Sequence, residues 1–174
     1  MIAARHVAAM ASGCMDTLPH NGAVISLLAI CKLTHRESYK FIFVNTVAFP
    51  MMALAVVWFG DSGAYFGGKA MGRHKLYPIV SPNKTWEGTI SGLAASVLGA
   101  YIIHLLLLPD LSLQIVVIAA LVGGAVAQVG DLVESAFKRA CGVKDSGQIL
   151  PGHGGMLDRL DGLLFSAPVF AVLL

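Results

Sequence analysis

The chain has 174 residues, 56% of them hydrophobic and 13% charged, against roughly 25% charged in a soluble domain. Its mean hydropathy of +0.75 excludes an ordinary water-soluble globule, and its long unbroken apolar runs exclude a membrane β-barrel, whose strands alternate apolar and polar residues. A net charge of +2 is too weak to point to nucleic acid, and Cys14, Cys31 and Cys141 lack the spacing of a zinc site or disulfide framework.

What remains is an all-α, polytopic helical membrane protein, because in lipid the backbone must satisfy its own hydrogen bonds. Met1 to Asp16 lacks the basic start and apolar core of a signal peptide. Residues 1–40 form an N-terminal segment of unassigned role, in which Ala23–Leu33 is a partial membrane helix too short to cross. Phe41–Phe59 is long enough to span, and Pro50 should kink it. A polar loop follows, from Gly60 to Gly88. Thr89–Leu108 is the clearest span: twenty residues at about 1.5 Å each reach roughly 30 Å, one hydrocarbon core. Its one residue that titrates near neutral pH, His104, suits an interface. Pro109, Asp110 and Ser112 make a short turn into a second apolar helix, Leu113–Val129, so the pair forms an antiparallel hairpin.

After a second polar loop, Gly162–Leu174 gives thirteen apolar residues, reaching only about 20 Å. The expectation is that the chain was cut there, and residues 41–174 read as one membrane-embedded region. Basic residues orient it: Lys69, Arg73, Lys75 and Lys84 mark the first polar loop, Lys138, Arg139, Lys144 and Arg159 the second, and the hairpin turn has none. Both polar loops are therefore expected on the cytoplasmic face. Lys32, Arg36 and Lys40 conflict with a single crossing by Phe41–Phe59, which leaves a re-entrant path open. Small residues four apart (Gly88 and Gly92, Ala95 and Gly99, Gly123 and Ala127) suit close packing within the chain first and a homodimer contact second.

Charged groups beside apolar spans point to function. If the second hairpin helix continues, Asp131, Glu134, Ser135 and Lys138 share one face, while Asp158 and Asp161 open the last apolar run. Carboxylates on rigid helix ends suit a hard cation such as Mg²⁺. Helix-end ion pairs, Asp131 with Lys138 or Asp158 with Arg159, would use the same residues. Between the clusters lie Lys144-Asp145-Ser146-Gly147 and Pro151-Gly152-His153-Gly154-Gly155. Their glycines permit close backbone approach and free N–H groups for an anion. In the first loop, Gly63 to Lys69 approximates a Walker A loop, but Ala70 stands where Ser or Thr must hold the metal, which excludes it. Ser81 could simply cap a helix, yet Lys84, Thr85 and Glu87 stand where a lipid headgroup would lie.

Ser135-Ala-Phe-Lys138-Arg139, Lys144-Asp145, Pro151-Gly-His153-Gly-Gly155 and Leu157-Asp158-Arg159-Leu160-Asp161 together resemble the signature of the phosphatidate cytidylyltransferase (CDP-diacylglycerol synthase) family. Asp61 to Phe66, Ser81-Pro82, Lys84-Thr85 and Glu87-Gly88 resemble its second motif, with Lys69 and Arg73 interchanged. The resemblance implies transfer of CMP from CTP to phosphatidic acid with release of pyrophosphate. It also implies Mg²⁺, a second cation being left open, in an integral membrane enzyme working at the cytoplasmic face of the bilayer. On this reading the metal rests on Asp131, Asp158 and Glu134. Lys138, Arg139, Lys144, Asp145, His153 and Asp161 serve the reaction, with Asp161 an alternative to Glu134 in the metal shell. Gly152, Gly154, Gly155, Ser81, Lys84 and Thr85 hold the substrates, and no covalent nucleophile is needed. A transferase acting on an ether-lipid phosphate would share these motifs. A cation channel or transporter would need its acids within the spans rather than at their mouth.

Overall fold

Apolar residues in long runs form helices here, and small residues decide how closely those helices approach. A computed structural model describes residues 22–32, 34–143, 146–147 and 157–174. The chain divides into two units, Met1–Met51 and Met52–Leu174. The first holds two nine-residue helices, α1 (Gly22–Ile30) and α2 (His35–Phe43), and a π-helical stretch, Val44–Ala48. The Phe49 amide donates to the Val44 carbonyl, five residues back. This π turn stands immediately before Pro50, whose missing N–H cannot continue the helical ladder.

Helix α3 (Phe49–Met71) continues well past the expected span. Gly60 to Lys69, read from sequence as part of a polar loop, is helical. Gly60, Gly63 and Gly67 lie on the face turned to α4 (Trp86–Leu107), against Ser96, Ala95 and Ser91. A Cβ on Gly92 of α4 would stand 2.9 Å from the Gly60 carbonyl oxygen, so only glycine permits this crossing. The Ser96 hydroxyl donates to the Val56 carbonyl at 2.8 Å and the Ser91 hydroxyl to the Gly63 carbonyl at 2.9 Å. Glycine costs a helix up to about 1 kcal/mol relative to alanine. Backbone contact across a small-residue interface and these interhelical bonds offset that cost.

Between α3 and α4 stands a two-stranded antiparallel hairpin, β1 (Lys75–Tyr77) and β2 (Ser81–Thr85), with Lys75 opposite Thr85 and Tyr77 opposite Ser81. Ser81 therefore opens a strand and caps nothing. The cap of α4 is Thr85, whose hydroxyl accepts the Gly88 N–H at 3.1 Å.

Helix α5 (Leu113–Ala140) has 28 residues and carries the polar cluster of the second hairpin helix on its final turns. It stops in a Schellman motif: Gly142 (φ 69°) donates to the Arg139 carbonyl and Val143 to the Lys138 carbonyl. Lys138 and Arg139 in the last turn match the negative end of the helix dipole. Helix α6 (Leu157–Leu173) packs along α5, with the Phe170 ring on Gly123 and the Phe165 ring on Gly130. The small-residue positions Gly88, Gly92, Gly99 and Gly123 are thus engaged within the chain.

Among the described residues, three helical stretches are long and apolar enough to cross a membrane: Ser38–Met71, Trp86–Leu107 and Leu113–Ala140. Leu160–Leu173 is apolar but shorter. Large apolar side chains such as Trp58, Phe66, Ile90 and Leu106 point outward from these helices, as a lipid-facing surface requires.

Candidate active site

The continuation of α5 beyond its apolar stretch places Asp131, Glu134, Ser135 and Lys138 at successive three- and four-residue intervals. Glu134 is buried at 6% exposure, and a buried carboxylate must be paired. Lys138, one turn on, donates to its Oε2 at 3.0 Å. Asp131 takes its cation from elsewhere in the fold. Lys84 on β2 brings its Nζ within 2.6 Å of Asp131 Oδ2, and the Ser135 hydroxyl donates to Oδ1 at 3.4 Å. The ion pair considered from sequence between Asp131 and Lys138 is replaced by these two pairs, Asp131 with Lys84 and Glu134 with Lys138.

The packing of α6 on α5 brings in a third carboxylate. Oxygen atoms of Asp131, Glu134 and Asp161 all lie within 4.8 Å of one another. The Asp161 Oδ1 accepts the Gly162 N–H at 2.7 Å, with its carboxylate against those of Asp131 and Glu134. Asp61 on α3 lies within electrostatic reach of Asp131, Asp161 and Lys84. Three acids and two lysines, from β2, α5 and α6, make up the centre itself. Three oxygen donors on rigid helices match the preference of a hard divalent cation, so the residues present fit such an ion.

The remaining expected residues are distributed as follows. Arg139 is exposed on the last turn of α5. Ser81 pairs with Tyr77 in the hairpin. Thr85 is buried, its hydroxyl used as the α4 cap and packed near Gly68, Gly72 and Gly88. Lys84, expected at a lipid headgroup, is engaged by Asp131. Asp158 lies in the first turn of α6, but its side chain is outside those described. Lys144, Asp145, Gly152, His153, Gly154 and Gly155 lie outside the described residues. Asp61 was not among the sequence-derived site residues. With Gly60–Lys69 read as loop, nothing local set it on a helix.

A mostly helical scaffold with three membrane-length apolar helices and a carboxylate-and-lysine cluster beside them is the class that fold and site define. Comparison with known proteins narrows this. The model of the cytidylyltransferase family matches residues 9–174. A protein of Staphylococcus saprophyticus named phosphatidate cytidylyltransferase is 47% identical over 124 residues, 71% of this chain and 48% of that protein. Proteins of the same name from Staphylococcus aureus and Staphylococcus epidermidis are 48% and 45% identical over the same shares. The chain spans about half the length of these curated relatives. It belongs to the cytidylyltransferase family.

Proposed function

We propose that this chain carries the catalytic centre of an enzyme that transfers CMP from CTP to phosphatidic acid, forming CDP-diacylglycerol and pyrophosphate. The observation that carries the reading is the convergence of Asp131, Glu134 and Asp161 beside Lys84 and Lys138 on and around the membrane-length helix α5. The names of the similar proteins supply the substrates. A phosphate oxygen of phosphatidic acid, already anionic, attacks the α-phosphorus of CTP. The new P–O bond forms as the bond to the bridging oxygen of the β-phosphate breaks, and pyrophosphate leaves with that electron pair. A divalent cation on Asp131, Glu134 and Asp161, with Asp158 a further donor, would neutralise polyphosphate charge there.

The chain's own residues do the rest. Lys138 holds Glu134 and Lys84 holds Asp131, which fixes the carboxylates before substrate arrives and leaves the centre short of positive charge. Arg139, exposed on the last turn of α5, would meet phosphate oxygens on this reading. Lys144 and His153 join it on the family resemblance. The site faces the cytoplasm on this reading, because basic residues flank α3, β2 and the end of α5 while the Pro109–Ser112 turn carries none.

The test is CTP turnover by the purified protein in mixed micelles. CDP-diacylglycerol and pyrophosphate should form in equal amounts, only with phosphatidic acid present, and should cease with EDTA. CTP consumption indifferent to phosphatidic acid would overturn the reading.

A further inference from the structure

Glu87 stands three residues beyond Lys84 yet takes no part in the carboxylate cluster. It is the second residue of α4, where the helix dipole favours a negative charge. Both of its oxygens are taken up by His74, the residue just before β1. The His74 amide reaches Oε1 and Oε2 at 3.3 Å, and the ring Nδ1 lies 2.6 Å from Oε1. A carboxylate only accepts, so the Nδ1 carries the proton of this bond. The Trp86 amide closes the same junction by donating to the His74 carbonyl at 3.0 Å. His74 and Glu87 thus cross the base of the β1–β2 hairpin at the point where β2 passes into α4. The one cation that this hairpin sends to the cluster, Lys84, lies between them in sequence and meets Asp131 at 2.6 Å. The His74 side chain is 78% exposed, so its ring buries little apolar surface, and its contacts with Glu87 are what it contributes.

We propose that Glu87 is a positioning residue and His74 its counterpart: their clamp fixes the hairpin on the start of α4 and so holds Lys84 against Asp131. The inference rests on the proposed transfer reaction for its kinetic arm, and on the geometry alone for its structural arm. A hairpin of two short strands is marginal in water, and the lysine at its end needs an external anchor to present its charge at a set place.

The kinetic arm is a double-mutant cycle on the purified protein, followed by phosphatidate-dependent CTP turnover. Glu87→Gln should lower kcat about tenfold, the equivalent of one charge-assisted hydrogen bond. In the Lys84→Ala background the same change should alter the residual turnover by less than about twofold, because the charge it positions is gone. His74→Ala should match Glu87→Gln, and His74→Asn, whose amide N–H can take the place of the ring Nδ1, should recover most of the loss. A purely structural or substrate-contacting Glu87 would cost as much without Lys84 as with it, and that result overturns the proposal. The structural arm is hydrogen exchange of the amides of residues 75–86 in Glu87→Gln. Faster exchange there, with α5 unchanged, is expected, and unchanged exchange overturns the clamp. Absence of turnover in the unaltered protein would instead count against the transfer reaction, leaving hydrogen exchange to decide the clamp.

Discussion

Asp161→Asn separates a binding centre for a cation from a merely structural cluster. Asp131 and Glu134 each have a lysine within 3.0 Å, whereas Asp161 takes the Gly162 amide and stands against the other two carboxylates. At the 4.8 Å limit that bounds the three carboxylates, two like charges repel by about 3 kcal/mol at an effective dielectric of about 20. Lysine compensation and the half-exposed setting of Asp131 and Asp161 reduce the net relief on neutralising Asp161 to about 1–2 kcal/mol. Asparagine can still accept the Gly162 N–H, and its amide N–H can donate to the Glu134 carboxylate, which an ionised acid cannot do. In EDTA, Asp161→Asn should therefore unfold at a higher temperature than the unaltered protein, by about 3–6 °C for a chain of this size. With millimolar Mg²⁺ or Mn²⁺ the order should reverse. The unaltered protein gains the linkage term of a bound ligand, about 2.7 kcal/mol at a hundredfold excess over Kd, and the variant gains little. Thermal unfolding in detergent, with and without the ion, reads both effects without any turnover. A variant less stable in EDTA, with the ion-dependent gain intact, would refute both the repulsion and the metal assignment.

Two further outcomes test the scaffold. Gly92→Val forces a side chain into the Gly60 carbonyl and Ala64 and should cost about 1–3 kcal/mol as overpacking, read as a lower unfolding temperature and as loss of α3–α4 cross-linking between introduced cysteines. Gly142→Ala meets no atom within 4 Å but keeps φ at 69°, so it should cost about 1–2 kcal/mol in stability and leave the KM for CTP unchanged.

The spans were legible because a run of about twenty apolar residues has few alternatives in lipid. The acidic end of α5 was legible because Asp131, Glu134, Ser135 and Lys138 keep helical spacing beyond Val129. Gly60 to Lys69 was not, since glycine and polar residues signal a loop whenever the facing helix is unknown. Only the serines and glycines of α4 show that this segment is a packing surface. The hairpin escaped notice for a related reason: three- and five-residue strands, one containing Pro82, carry no periodicity to read. The pairing of Lys84 with Asp131 joins residues 47 positions apart, and neither has a local pattern naming the other. Resemblance identified the motif residues but assigned them no partners.

The positions of the acids follow from the same contacts that pack the helices. Gly60 precedes Asp61, Gly130 precedes Asp131 and Gly162 follows Asp161. All three glycines are buried where another helix crosses: Gly60 against Ser96, Gly130 under the Phe165 ring, Gly162 against Val57 and Ala127. Neighbouring residues on an α-helix are separated by about 100° around the axis. A glycine at a crossing therefore turns its charged neighbour out of the interface while keeping it at the level of closest approach. Larger residues at these three points would move the helices apart and the carboxylates with them. Lipid rewards close backbone contact, and that contact sets the spacing of the charges. The glycines that let this sequence pack in a membrane are thus the ones that set where Asp131 and Asp161 meet.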